Sequence, residues 1–176
     1  MTPRKYSFRI IERYQTAGRF GELDEVAKTF LLSPESPALL LRKKDNAGLT
    51  GSVAPHNPYV GIMLPYSPLH NLLFFYPGGE RPNFDALVMT SGNISEEPII
   101  RDNDEALQKL GAVCDAFLIH NRDVQTRVDD SVVNVIAGKP SVIRRSRGYA
   151  PQPLRLPFTV PPLLACGAEL KSTFTL

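Results

Sequence analysis

The sequence predicts an α/β domain, because short apolar runs of strand length alternate along the chain with segments of helical periodicity. Residues 38–41, residues 60–64 and Ala86–Met89 are compact apolar runs bounded by turn-forming residues, which is typical of buried strands. Residues 24–32 carry apolar side chains at helical spacing and stop at a Ser-Pro pair. This alternation favours a sheet covered by helices, with Ala86–Met89 as a central, buried strand.

Two further helices and one more strand are expected. A helix is predicted over residues 69–74, and another over Asn103–Leu110, where Asp102 supplies the N-cap and Gly111 ends the helix. The apolar run 116–119 predicts a strand after that helix.

A hairpin is predicted near the end of this region. Val132–Ile136 and residues 141–145 flank Ala137-Gly138-Lys139-Pro140, which indicates two antiparallel strands with a four-residue connection. Antiparallel pairing brings the outer ends of the two strands together. These ends carry Arg127, Asp129, Asp130 and Ser131 on one side and Arg144, Arg145 and Arg147 on the other.

Composition describes an ordinary globular domain. The chain has 176 residues, of which 43% are hydrophobic and 22% charged, so one good core is expected. A net charge of +2 is too small to require a nucleic-acid partner. Cys114 and Cys166 lack CxxC spacing and the three histidines are scattered, so neither a zinc site nor a disulfide is expected. No apolar run reaches the length of a membrane span and no signal-peptide core is recognisable, which predicts a cytoplasmic protein without membrane contact.

The loop after Ala86–Met89 is the first candidate site. It reads Thr-Ser-Gly-Asn-Ile-Ser and carries hydroxyl and amide groups at Thr90, Ser91 and Asn93. In α/β sheets such groups at a strand end bind phosphate or acyl oxygens. The alternative is that the same residues only form an Asx or Ser/Thr turn.

The arginines at the hairpin ends are the second candidate site. Arg144, Arg145 and Arg147 are either surface ion pairs of little energetic weight or planar forks that bind phosphate oxygens. Asp129 and Asp130 either hold Mg²⁺ on a triphosphate or orient Arg127 and Arg145. His70 is expected to be a packed residue rather than a general base.

Several motifs together resemble one family. The segment Thr90–Ile99 resembles the Ser-x-Asn nucleotide-binding loop of YrdC-like domains, in the form found in HypF-type carbamoyltransferases of [NiFe]-hydrogenase maturation. Further resemblances follow in order: Leu-Pro-Tyr-Ser-Pro-Leu-His at 64–70, Ile-His-Asn-Arg-Asp at 119–123, Arg-Val-Asp-Asp-Ser-Val-Val at 127–133 and Arg-Arg-Ser-Arg-Gly-Tyr-Ala-Pro at 144–151. The resemblance implies a YrdC-like α/β (α+β) fold, a twisted mixed sheet with flanking helices that is incomplete at the N-terminal side.

The resemblance also implies a function. Relatives activate carbamate, derived from carbamoyl phosphate, with Mg-ATP as carbamoyl-adenylate, and the carbamoyl group then goes to a HypE-type partner for cyanide-ligand synthesis. It implies that Thr90, Ser91, Asn93, Ser131, Arg144, Arg145 and Arg147 bind nucleotide, with no catalytic triad and no protein metal site. We expect Ser91, Asn93, Ser131 and Arg147 to converge on one pocket, without deciding which arginine contacts phosphate.

Four segments are expected along the chain. Residues 1–22 are an uncertain N-terminal segment, residues 23–152 a partial YrdC-like domain, residues 153–162 a proline-rich linker, and residues 163–176 the opening hairpin of an ASKHA-type carbamoyl-transfer domain. The family's upstream Lys-x-x-Gly-Gly segment does not occur, so the chain alone is expected to be inactive.

Two other functions are compatible with parts of the sequence. The first is that of a tRNA threonylcarbamoyl-AMP synthase, a branch of the same superfamily. The second is double-stranded RNA binding, which the basic and aromatic residues of the N-terminal segment also allow, although an amphipathic or disordered terminus explains them equally well.

Overall fold

A computed structural model describes residues 8–11, 13–45, 47–49, 52–75, 78–79, 82, 84–95, 97–167 and 174–175. The chain divides into two compact units. Unit 1 comprises Met1–Thr90 and Val128–Pro151, and unit 2 comprises Ser91–Arg127 and Gln152–Leu176.

A six-stranded mixed sheet organises unit 1. Its strands are β1 (Phe8–Ile11), β2 (Ala38–Arg42), β3 (Tyr59–Met63), β4 (Ala86–Met89), β5 (Val132–Ile136) and β6 (Lys139–Arg144). Their order across the sheet is β4-β1-β3-β2-β5-β6. The pairs β1/β3 and β2/β5 are parallel and the other three are antiparallel. The predicted mixed α/β sheet is therefore confirmed.

The described residues form four helices, and a side chain caps the N-terminus of three of them. They are α1 (Tyr14–Phe20), α2 (Glu25–Leu31) and α3 (Pro68–Phe74) in unit 1, and α4 (Asn103–Leu110) in unit 2. The side chains of Asp24, Ser67 and Asp102 accept hydrogen bonds from main-chain N–H groups of α2, α3 and α4. Each cap satisfies a donor that the first helical turn leaves without an intrahelical partner. Sequence patterns predicted α2, α3 and α4 but neither α1 nor β1.

The core lies between the sheet and the helices of unit 1. Leu39 and Ile62 are fully buried and lie opposite each other on neighbouring strands β2 and β3. Ile11, Leu31 and Val133 join them in the larger of two buried clusters. Burial of each large aliphatic side chain contributes about 1.5 to 3 kcal/mol, so this cluster fixes the sheet.

The predicted position of β4 is wrong. The strand covers the predicted residues, but it is an edge strand, paired only with β1, and Val88 is 60% exposed. A short apolar run identifies a strand without fixing its place in the sheet, because edge strands also bury one face. The loop that follows β4 therefore leaves from the border of the sheet.

The predicted strand at 116–119 and the predicted hairpin connection also need correction. Residues 116–119 form neither helix nor strand, and the side chains of Leu118 and Ile119 are mostly exposed. The hairpin turn consists of two residues, Ala137 and Gly138, which both have positive φ values (51° and 71°). Positive φ at both positions is the requirement of a tight hairpin turn whose twist matches the strands. Lys139 and Pro140 then belong to β6, an edge strand, where proline is tolerated.

Unit 2 contains α4 and a short second sheet. Residues 152–164 form neither helix nor strand. Ala165–Cys166 (β7) and Phe174–Thr175 (β8) pair as antiparallel strands. The assignment of residues 163–176 to the start of a transfer domain stays a prediction. Across the described part of the chain, no helix combines the length and the apolar character needed to cross a membrane.

Candidate functional site

Strand direction separates Thr90 from Ser131 and Arg144, which lie at the outer ends of the β5–β6 hairpin. Met89, at the end of β4, lies opposite Phe8, and Phe8 lies opposite Gly61 of β3. The chain therefore leaves β4 at the end of the sheet where β3 begins. Ser131 precedes β5 and Arg144 ends β6, and both lie at the end where β3 finishes. Thr90 and Ser131 thus lie at opposite ends of the sheet.

The Ser-x-Asn loop is held together by the side chain of Asn93. Its amide nitrogen donates to the carbonyl oxygens of Ile94 at 2.7 Å and Glu97 at 2.8 Å. Its amide oxygen accepts from the hydroxyl of Ser91 at 2.6 Å. The loop is therefore an Asx-type turn stabilised by its own residues, and Ser91 remains on the surface. A turn of this kind also presets the positions of polar groups that a ligand would meet.

Contacts from the rest of unit 2 hold the second half of this loop. Lys109 of α4 pairs with Glu97 at 2.9 Å and with Glu105 at 3.1 Å. These two hydrogen bonds raise the pKa of Lys109, so the ammonium stays charged. The Nε of Arg127 donates to the carbonyl of Ile99 at 2.5 Å. The sequence did not indicate the contacts of Lys109 with Glu97 and of Arg127 with Ile99, because these join residues 12 and 28 positions apart.

Ser131 is buried and its hydroxyl is already used. It donates to the carbonyl of Arg147 at 2.8 Å and accepts from the main-chain N–H of Ser146 at 2.7 Å. Ser131 is fully excluded from solvent. The hydroxyl therefore fixes the turn after β6, and it lies beneath that turn rather than on the surface.

Arg147 lies at the centre of a contact network in unit 1. Its Nε and Nη2 each lie 2.9 Å from Oδ1 of Asp130. Nη2 also donates to the carbonyl of Ser36 at 2.8 Å, and Nη1 donates to that of Glu35 at 3.4 Å. The guanidinium carbon lies 3.6 Å from the ring centre of Tyr66. Arg147 thereby connects the loop before β2, the start of β5 and the segment after β3.

Arg144 and Arg145 have different surroundings. The Nε of Arg144 donates to the main-chain carbonyl of Asp130 at 2.8 Å. Nη2 of Arg145 donates to the carbonyl of Tyr149 at 2.7 Å. The carboxylate of Asp130 therefore orients Arg147, not Arg127 or Arg145 as the sequence led us to consider. No group of three or more Asp, Glu, His or Cys side chains arranged for a metal ion occurs among the described residues.

Tyr66 and His70 complete the surroundings of Arg147. Their rings meet edge to face with centres 4.5 Å apart, so His70 is a packed residue, as predicted. Within the described residues, the buried Nδ1 of His70 has no hydrogen-bond partner. Burial lowers the pKa of His70, the positive charge of Arg147 lowers it further, and the carboxylate of Asp130 acts in the opposite direction. Burial likewise raises the pKa of Tyr66, so His70 and Tyr66 both favour their neutral forms.

Unit 2 also contains a polar cleft of about 420 Å³. Arg101, His120, Arg122 and Asp123 are among its lining residues. Arg101 donates to the carbonyl of Gln125 at 2.9 Å, and Asn103 donates to that of His120 at 2.6 Å. Three residues of the Ile-His-Asn-Arg-Asp motif therefore line this cleft. The sequence alone did not indicate what the motif lies next to.

Comparison with known families identifies the domain. The family model Sua5_yciO_yrdC, described as "Telomere recombination", matches residues 5–146. The chain belongs to the Sua5/YrdC family. The match begins within the N-terminal segment that motif reading left unassigned, which agrees with the presence of β1 in the main sheet.

The relatives of this Sua5/YrdC domain are much longer than the chain itself. It is 44% identical over 165 residues to the carbamoyltransferase HypF of Synechocystis, a match that covers 93% of this chain and 20% of that protein. The chain thus spans about a fifth of the length of this curated relative.

Solved structures of similar proteins have the same fold. HypF from T. kodakarensis matches with a TM-score of 0.82 and 38% identity, over 96% of this chain and 21% of that one. A full-length HypF in a phosphate- and nucleotide-bound form matches with a TM-score of 0.74 and 42% identity, over 85% of this chain and 22% of that one. These similarities confirm the predicted HypF-type form of the YrdC-like fold.

Proposed function

We propose that this Sua5/YrdC domain supplies nucleotide-binding residues to a carbamoyltransferase of [NiFe]-hydrogenase maturation. The observation that carries the proposal is the Asn93-locked loop after β4, which presents the exposed hydroxyl of Ser91 on a preformed turn. Similarity to a HypF crystallised with phosphate and nucleotide supports it. We assign nucleotide binding to Thr90, Ser91, Asn93, Ser131, Arg144, Arg145 and Arg147, with Ser131 acting from within the protein. Because Thr90 and Ser131 lie at opposite ends of the sheet, we assign them to different parts of the nucleotide.

The reaction proposed is adenylation of carbamate. A carbamate oxygen attacks the α-phosphorus of ATP, and the bond from that phosphorus to the oxygen bridging it to the β-phosphorus breaks. Pyrophosphate leaves with that oxygen. Mg²⁺ belongs to the substrate, Mg-ATP. Such a displacement depends on positioning and on stabilising charge across the phosphate oxygens. Hydroxyls, amides and arginines suit that task, and it requires no nucleophilic triad.

The later steps belong to the longer protein that the relatives represent. We propose that the carbamoyl group passes through a transfer domain to a HypE-type partner, and that residues 163–176 begin that domain. Both cysteines are free and exposed, which suits a reducing compartment, and we place the activity in the cytoplasm. Because the family's Lys-x-x-Gly-Gly segment does not occur in the sequence, we expect the isolated chain to bind nucleotide better than it turns it over.

An exchange assay tests this function. Labelled pyrophosphate is incubated with ATP, carbamoyl phosphate and either the isolated chain or Synechocystis HypF whose matching segment has been replaced by this chain. We expect the hybrid to exchange label into ATP when carbamoyl phosphate is present. Asn93→Asp in the hybrid should greatly reduce this exchange, and the isolated chain should show none. Equal exchange by the hybrid and its Asn93→Asp variant would contradict the role of the loop. Exchange by the isolated chain would show that the absent lysine segment is dispensable.

A further inference from the structure

We propose that residues 154–160 pair with the same residues of a second copy of this chain and form an antiparallel two-stranded ribbon. The segment reads Leu-Arg-Leu-Pro-Phe-Thr-Val and belongs to unit 2. In a single copy it forms neither helix nor strand, and it bends at Pro157 and Phe158. Pairing with the second copy straightens it. This contact is separate from the residues to which nucleotide binding is assigned.

Large apolar side chains alternate along the segment and are in contact with solvent. Leu154, Leu156, Phe158 and Val160 are between 44% and 67% exposed. In an extended chain alternate side chains lie on the same face, so these four share one face. Single apolar residues on a surface are ordinary, whereas a continuous row of them indicates a surface that binds a partner.

Prolines leave only one edge of the segment able to pair. In an extended chain the N–H and C=O groups of alternate residues point to the same edge. Pro153, Pro157 and Pro161 all occupy odd-numbered positions, so the odd-numbered edge lacks the N–H groups of these three residues. The even-numbered edge keeps every N–H from Leu154 to Val160. Among the described residues, no main-chain hydrogen bond is made by the even-numbered residues of the segment.

The even-numbered edge is complementary to a second copy of itself. A two-fold axis at Pro157 places Leu154 opposite Val160 of the second copy, and it places Leu156 opposite Phe158 of the second copy. Both pairs consist of even-numbered residues, so each pair exchanges two main-chain hydrogen bonds and brings two apolar side chains together. Pro157 lies opposite Pro157 of the second copy, at a position that needs no N–H.

The placement of charge and proline favours two copies over a larger assembly. Arg155 is the one charged residue of the segment, and this register places it opposite Thr159, so the two arginines do not face each other. Pro162 lacks the next N–H of the even-numbered edge, which ends the pairing at Val160. The outer edges, which lack the N–H groups of their prolines, disfavour a third strand. The ribbon therefore closes as a two-fold dimer and does not grow into a fibre.

Sedimentation velocity on a dilution series of the whole chain tests the dimer. We expect a reversible monomer–dimer equilibrium for the wild type. Leu156→Pro removes an N–H from the pairing edge in both copies and should weaken dimerisation by at least about tenfold, whereas Leu156→Val keeps that N–H and should weaken it much less. Thr159→Pro is the matched control, because it removes an N–H from the outer edge, and its dissociation constant should stay within about twofold of the wild-type value.

A disulfide cross-link tests the register. Cys114 and Cys166 are exposed, so both are first replaced by serine. Pro157→Cys should then give a disulfide-linked dimer with oxidised glutathione, because directly opposed residues of a non-hydrogen-bonded pair lie within disulfide range. Thr159→Cys alone should cross-link far more slowly, since its thiol lies opposite Arg155, and adding Arg155→Cys should restore rapid cross-linking.

Three results would overturn the proposal. A wild-type chain that stays monomeric at every concentration would exclude the ribbon. Equal weakening of the dimer by Leu156→Pro and Thr159→Pro would exclude pairing through the even-numbered edge. Equally fast cross-linking of Pro157→Cys and Thr159→Cys would exclude the two-fold axis at Pro157.

Discussion

Arg147 binds Asp130 through two nitrogens, with Nε and Nη2 each 2.9 Å from the same carboxylate oxygen. Both side chains are mostly shielded from solvent, at 22% and 33% exposure, so this pair is worth more than a surface ion pair. We expect Arg147→Ala to lower the free energy of unfolding by about 2 to 3 kcal/mol, because the carboxylate loses a charged partner. Urea unfolding measures the loss.

A double-mutant cycle isolates the pair from the other contacts of Arg147. Combining Arg147→Ala with Asp130→Ala should reveal a coupling free energy of about 1 to 2 kcal/mol. A coupling near zero would mean that the carbonyls of Glu35 and Ser36, rather than Asp130, account for the stabilising effect of Arg147.

Gly148 allows the turn after β6 to approach the loop before β2. A Cβ atom at this position would lie less than 2.5 Å from the carbonyl oxygen of Glu35, and the residue has φ +87°. Gly138 shares the positive φ, at +71°, but has open space around it. We expect Gly148→Ala to destabilise the chain by at least about 2 kcal/mol more than Gly138→Ala in urea unfolding, because overpacking adds to the backbone cost. Equal losses would contradict the close approach.

His70 gives a pH dependence with a defined sign. Burial and the charge of Arg147 hold its pKa below the ordinary value of 6.5 in the folded state. The unfolded chain therefore binds the proton first as the pH falls, and the stability contributed by neutral His70 is complete above about pH 6.5 and is lost below it. NMR titration of the His70 ring should give a midpoint below 6.5. A midpoint at or above that value would contradict the observed environment.

Asn93 should control the order of its own loop. Asn93→Asp replaces the amide that donates to the carbonyls of Ile94 and Glu97 with a carboxylate, which repels them. We expect amide hydrogen exchange over residues 94–100 to become at least about tenfold faster, since the two hydrogen bonds are worth on the order of 1 kcal/mol each. The exchange of β2 should stay unchanged, and a uniform acceleration would indicate global destabilisation instead.

Local patterns predicted elements well where one segment contains the whole signal. Asp102, Asn103–Leu110 and Gly111 form a helix with its cap and stop within ten residues, and the structure matches all three. β1 had no such signal, because four residues of mixed character become a strand only through pairing with β3 and β4. The run at 116–119 shows the converse, since apolar residues without a partner strand stay irregular.

In the candidate site, too, contacts between neighbours in sequence could be predicted, whereas contacts between distant residues could not. The hydrogen bond from Ser91 to Asn93 joins residues two positions apart, and the turn could be predicted. The partners of Arg147 at Glu35 and Ser36 lie more than a hundred positions away, and no sequence pattern marks those two residues. Residue type identified the arginines as candidates, but only the fold shows which one is committed to protein contacts.

Equilibrium dialysis with labelled Mg-ATP measures nucleotide binding by the Asn93-locked loop and by Arg144 at the end of β6. Asn57→Asp is the matched control for Asn93→Asp. Among the described residues, the Asn57 side chain only accepts a hydrogen bond, from the N–H of Tyr59, and aspartate retains that acceptor. We predict saturable binding by the wild type and by Asn57→Asp, and affinities at least about tenfold lower for Asn93→Asp and Arg144→Gln. No saturable binding by the wild type would exclude a nucleotide site in this chain, and equal binding by all four proteins would exclude both the loop and Arg144 from it.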